Sequence, residues 1–90
     1  MTVKYFATIR TYAGEATRRL DEAPATLREL LDVLTQRYGM AFHNAVLEDG
    51  DLSPQVIILV NGRNVLYLQK LSTPLEPQDE VSIFPMVAGG

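Results

Sequence analysis

The chain contains no cysteine. That removes disulfides, thiolate metal sites and a thiol nucleophile together. It has one histidine, His43, in a polar stretch, where a lone imidazole is far more often a solvated side chain than a ligand or general base. With one histidine no Ser/His/Asp set assembles convincingly, and no glycine-rich phosphate loop precedes a helix. Positive charge is scarce: Lys4 and Lys70 are the only lysines, the net charge is −3 and the pI is about 4.9. This balance argues against a nucleic-acid surface, which needs clustered cations to displace counterions. Long apolar runs are missing too. The longest, Val56 to Val60, is far short of the ~20 residues of a membrane helix. Residues 1–10 alternate in polarity and lack the apolar block of a signal peptide, so a cytoplasmic location is expected. "EDGDLSP", residues 48–54, clusters carboxylates around Gly50 but lacks the remaining ligands and the distant Glu of a calcium loop. It reads as a turn, and no metal site is expected.

What is present suits one globular domain spanning 1–90. A chain of this length buries roughly 60–65% of its unfolded surface, enough for one modest core. The apolar fraction of 47% and charged fraction of 21% are ordinary globular values, so disorder is not expected. "TVKYFATIR", residues 2–10, sets Val3, Tyr5, Ala7 and Ile9 on one face and Lys4, Phe6, Thr8 and Arg10 on the other, the period of a strand. "EATRRL", residues 15–20, reads as a polar edge strand that closes a hairpin through Gly14. In residues 23–39, Thr26 and Glu29 have capping-box spacing, and Leu27, Leu30, Leu31, Leu34 and Tyr38 follow a helical stripe. Gly39 is placed to end that helix in a left-handed conformation. Residues 40–55 read as a loop with room for one short helical turn around Phe42 to Leu47.

"VIILV", residues 56–60, is apolar on both faces and leads into "NG", a strong hairpin signal. Irregular chain broken by Pro74 and Pro77 follows, and "DEVSIFP", residues 79–85, is the last strand. The order is that of an α+β β-grasp. Its first and last strands pair in parallel, and one main helix packs on one face of a mixed sheet. By parity Phe6 and Phe84 then point away from the helix-covered core, joined by either Ile57 and Leu59 or Ile58 and Val60.

The sequence ends "VAGG". Average glycine usage makes a terminal Gly-Gly about a 0.5% event by chance. It is either a frayed end or a tail whose carboxylate is the working group.

In order, "FATIRTYAG", "VNGR", "LSTPL" and "DEVSIFPMVAGG" resemble the MoaD/ThiS family of ubiquitin-like sulfur carriers, and within it the small subunits of molybdopterin synthases. The resemblance spans nearly the whole chain. It implies that the Gly90 carboxylate, presented with Gly89, is adenylated by an E1-like enzyme using ATP and converted to a thiocarboxylate. This then donates sulfur in molybdenum cofactor biosynthesis. The chain would bind no cofactor itself and would be a consumed co-substrate, with the catalytic groups on a large synthase subunit. Phe6, Phe84, Pro85, Met86, Val87 and Ala88 would dock the partner, and residues from about 86 to 90 would form the flexible tail. Relatives with the same ending serve cysteine, thiamin or tRNA thiolation, or are conjugated to other proteins through the terminal glycine. Three positions depart from the family pattern. Met86 stands for a second proline, "EPQDE" for an Asp-Gly turn, and Lys70 for a glycine.

Overall fold

The computed structural model describes residues 1–86. Its elements in chain order are β1 (Thr2–Tyr5), α1 (Ala7–Ala13), β2 (Thr17–Arg19), α2 (Leu27–Tyr38), α3 (Met40–Val46), β3 (Leu47–Glu48), β4 (Asp51–Leu52), β5 (Val56–Val60), β6 (Arg63–Asn64) and β7 (Glu80–Pro85). Two 3-10 turns, Val65–Tyr67 and Lys70–Ser72, lie between β6 and β7. Five strands form one sheet in the order β2-β1-β7-β5-β6. The first and last strands pair in parallel, with Val3 beside Val81 and Tyr5 beside Ile83, while β5 runs antiparallel to β7. This is a β-grasp with a mixed sheet.

The long helix begins as its residues dictate. Thr26 is extended and its Oγ1 accepts from the Glu29 N–H at 3.3 Å. Glu29 Oε2 in turn accepts from the Ala25 N–H at 2.9 Å, so the capping box closes one residue upstream of its usual donor. Leu27, Leu30, Leu31 and Leu34 are buried against Val3, Tyr5, Ile58, Val81 and Ile83 of the sheet. At the other end Gly39, with φ 95° and ψ −169°, takes a positive φ but not the left-handed helical conformation expected of it, because as the sole residue between α2 and α3 it both ends one helix and opens the next. Its N–H reaches the Thr35 carbonyl at 2.8 Å and its carbonyl accepts from His43. A side chain would resist that backbone.

Two expectations from periodicity are corrected. The first strand stops at Tyr5 and not at Arg10, because Ala7 takes φ 51° and turns the chain into α1. Ile9 is still buried, now through a helix. Consequently β1 and β2 are antiparallel neighbours joined by that helix and not a simple hairpin. The segment 40–55 is also not a loop. It holds α3, which buries Phe42 and Val46, and a small β3–β4 hairpin turning at Asp49 and Gly50. The grasp therefore carries two short helices beside the main one. The strand 56–60 is interior but not the middle of the sheet, a place taken by β7. Lys70, one of the three departures from the family pattern noted above, has φ 51°, a backbone conformation that glycine adopts without a steric penalty. At "EPQDE" the turn closes with the Asp79 N–H on the Glu76 carbonyl, answered by Asp79 Oδ2 accepting from the Glu76 N–H.

Candidate docking face and tail root

Parity along the strands decides what the uncovered sheet face presents. Val56, Ile58 and Val60 point into the core, so it is Ile57 and Leu59 that face outward, each partly exposed. On β7 the alternation buries Val81 and Ile83 and turns Ser82 and Phe84 outward. Phe6 lies just past β1 yet keeps an extended backbone, and its N–H continues the parallel ladder onto the Ile83 carbonyl at 3.1 Å. The result is an apolar row across three strands. The Phe6 and Phe84 rings stack with centroids 4.3 Å apart and planes 8° from parallel, and Ile57 is the cross-strand partner of Phe84. Aromatic pairs of this kind contribute about 0.5–1.5 kcal/mol beyond their area. The opposite end of the face is polar, with Lys4 and Glu80 paired at 3.3 Å on half-exposed side chains.

The chain leaves the sheet beside that row. Pro85 is the register partner of Val56, and the Met86 N–H donates to the Gln55 carbonyl at 2.8 Å. A proline at Met86 would have no such donor. The departure from the family pattern therefore replaces a stiff ring with a backbone hydrogen bond at the tail root. Met86 is half exposed and borders two grooves, one shared with Tyr12 and Asn44 and the other with Leu52 and Leu66. Phe6 and Phe84 are thus brought together on the open face, whereas Pro85, opposite the inward-pointing Val56, and Met86 lie at the same end of the sheet but border grooves on its helix-covered side. Val87, Ala88, Gly89 and Gly90 lie outside the described residues.

Other sequence candidates do not converge with these. His43 sits on α3, partly buried, with Nδ1 3.5 Å from Thr35 Oγ1. Around the acidic turn, Asp51 Oδ1 accepts from the Leu52 N–H, and Arg28 donates to the Gly50 carbonyl. Among the described residues no three His, Cys, Asp or Glu side chains form a group able to hold a metal ion. No helix of the structure is long and apolar enough to cross a membrane.

One polar cluster escaped the sequence reading. Beneath α2 the Tyr5 and Tyr38 hydroxyls are 2.8 Å apart, and Tyr38 donates to Glu15 Oε2 at 2.6 Å. That bond, then the nearby Arg18 and Arg37 charges, holds the Glu15 carboxyl below the usual range. Burial raises both phenols, and the hydrogen bond to Glu15 raises Tyr38 further. The only sequence signal was Tyr38 at the end of a leucine stripe, where its ring reads as core.

Comparison with known proteins places these features. The ThiS family model matches residues 3–90. The chain belongs to the ThiS family. Its relatives are ubiquitin-like sulfur carriers and protein modifiers. A protein of Archaeoglobus fulgidus described as a sulfur carrier is 44% identical over 71 residues, 79% of this chain and 81% of that one. Small archaeal modifier protein 3 of Haloferax volcanii is 39% identical over 93 residues, covering 100% of this chain and 98% of its own. In a crystal structure of the Amycolatopsis orientalis BexX/CysO complex, one chain matches with a TM-score of 0.83 and 26% identity. The match covers 99% of this chain and 98% of that one. A chain of similar fold is thus seen within a complex of two proteins.

Proposed function

We propose that this ThiS-family chain carries sulfur on the carboxyl group of Gly90 and serves as the small subunit of a molybdopterin synthase. The observation that carries the docking half of this reading is the Phe6–Phe84 stack with Ile57 beside it, at the root of the tail. A contiguous apolar row rimmed by charge is what a partner's aromatic anchors bury. A carboxylate is a poor acyl electrophile until a good leaving group is attached. An E1-like partner would supply ATP, the Gly90 carboxylate would attack its α-phosphorus with release of pyrophosphate, and a sulfur nucleophile would then displace AMP. The Gly89-Gly90 ending suits a narrow tunnel, since glycine brings no side chain. Choice of the molybdopterin pathway rests on the ordered fragments from "FATIRTYAG" to "DEVSIFPMVAGG".

The archaeal modifier relative favours a second reading, conjugation of Gly90 to a lysine of a target protein. Both readings use the same carboxyl group and the same docking face. Purified chain mixed with the large synthase subunit should form a complex measurable by calorimetry. Phe84→Asp should weaken that complex at least about 30-fold, because it sets an unpaired charge into the buried centre of the interface. Unchanged affinity with the fold retained would remove the docking assignment.

A further inference from the structure

On the helix-covered side, away from the tail root, a groove of about 840 Å³ runs between β2 and the second half of α2. Its apolar lining comes from Ala13, Leu20 and Val33, and its charged lining from Glu15, Arg18 and Arg37. Val33 lies off the buried leucine stripe and is 45% exposed, a β-branched side chain held open beside the groove. Arg18 is underused. Its Nε is shielded from solvent with no hydrogen-bond partner. Neither guanidinium is bonded to Glu15. Arg18 and Arg37 stand 3.6 and 3.7 Å from its carboxylate oxygens, beyond hydrogen-bond length, while the short bond to that carboxylate comes from Tyr38.

The neighbouring backbone is also open. β2 ends the sheet, with β1 as its one strand neighbour. Ala16 accepts from the Tyr5 N–H and Leu20 donates to the Met1 carbonyl, so alternation along the ladder turns the peptide groups of Thr17 and Arg19 outward. An unpaired edge is a template for another strand.

We propose that β2 and this groove bind an extended segment of another protein, which adds a strand along Thr17–Arg19, lays apolar side chains against Leu20 and Val33, and offers carboxylates to Arg18 and Arg37. Charge complementarity selects that partner. The whole chain is acidic at −3, yet here the two guanidiniums of Arg18 and Arg37 face the single carboxylate of Glu15. An acidic segment would satisfy the Arg18 Nε and replace two loose ion pairs with charge-assisted hydrogen bonds. The groove's lining includes neither Pro85 nor Met86 of the tail root, so the chain could be held by this partner while Gly90 is engaged elsewhere.

The test is a titration of isotope-labelled full chain with a short acetylated peptide of valines followed by glutamates, read by amide chemical shifts. Saturable shifts centred on Thr17, Arg18, Arg19 and Arg37 are expected. Arg18→Gln and Arg37→Gln should each weaken binding by about tenfold, the scale of one charge-assisted hydrogen bond. Arg28→Gln, on another face of α2, should leave it unchanged. A peptide with glutamines for glutamates should bind at least about tenfold more weakly, which tests the charge requirement without altering the protein. Equal binding of the glutamine peptide, shifts centred on Phe6 and Phe84, or no shifts at millimolar peptide would each overturn the proposal. None of these outcomes bears on the Gly90 chemistry.

Discussion

Ala7 is the residue on which the first third of the fold turns. Its φ of 51° ends β1 and starts α1, and an L-residue in that region costs roughly 1–2 kcal/mol. Ile9 is buried in the core by the helix that follows, which offsets the strain. Valine is worse suited to positive φ than alanine. Ala7→Val should therefore lower unfolding free energy by more than about 1 kcal/mol in a denaturant titration, and an unchanged midpoint would contradict the account. Tyr38 governs a different property. Its hydrogen bond to Glu15, aided by Arg18 and Arg37, depresses the Glu15 pKa. That contribution is complete above the ordinary carboxylate value and is lost as pH falls through the lower folded value. Burial raises the Tyr5 and Tyr38 pKa values, so their contributions are complete below the ordinary phenol value of about 10 and lost as pH rises past it. Stability should decline on both flanks, and Tyr38→Phe should flatten each decline in thermal melts followed across pH. Coincident pH profiles for the two proteins would remove the network from the explanation.

At the scale of elements, α3 shows how a short helix earns its place through packing. It has seven residues, too few to be stable alone. Phe42 anchors it, edge-on to Tyr5 at 6.0 Å and tilted against Tyr38 at 5.1 Å. Phe42→Ala should cost about 3–5 kcal/mol, measured by chemical denaturation, and a loss below about 1 kcal/mol would mean α3 is peripheral. That same shortness explains why α3 was legible in the sequence only as a single turn near Phe42. Seven residues do not complete a convincing helical stripe, and Gly39 marked the end of α2 without showing that a second helix begins at once. By contrast α2 was legible because its cap, leucine spacing and terminal glycine agree. Strand parity was legible wherever the ladder continued. Phe6 kept its outward direction because its backbone remained extended, whereas the alternation read through Arg10 failed once Ala7 left the strand. The tail root was legible as a position but not as a contact. No pattern in the sequence announces that the Met86 N–H reaches the Gln55 carbonyl. The groove beside β2 was likewise hidden, because Arg18 and Arg37 come from distant segments.

Across the whole molecule, the grasp brings the tail root and the docking face to one end of the sheet. β7 occupies the middle of the sheet and delivers the chain past Phe84 and Pro85 to Met86. The four residues beyond it reach at most about 14 Å when extended. Reach on that scale makes the last residue matter. Deleting Gly90 withdraws the terminal carboxylate by about 3.3 Å, while reacting groups tolerate misplacement of only about 1 Å. The most direct measurement is the mass of the intact chain after incubation with ATP, its adenylating enzyme, a persulfide donor and a thiol that cleaves the acyl disulfide formed when the persulfide displaces AMP. A carrier gains the difference of one oxygen replaced by sulfur, located at Gly90 by fragmentation, and the chain lacking Gly90 gains nothing. No mass change in the full chain under conditions that convert a known carrier, or conversion at full rate after Gly90 is removed, would contradict the account.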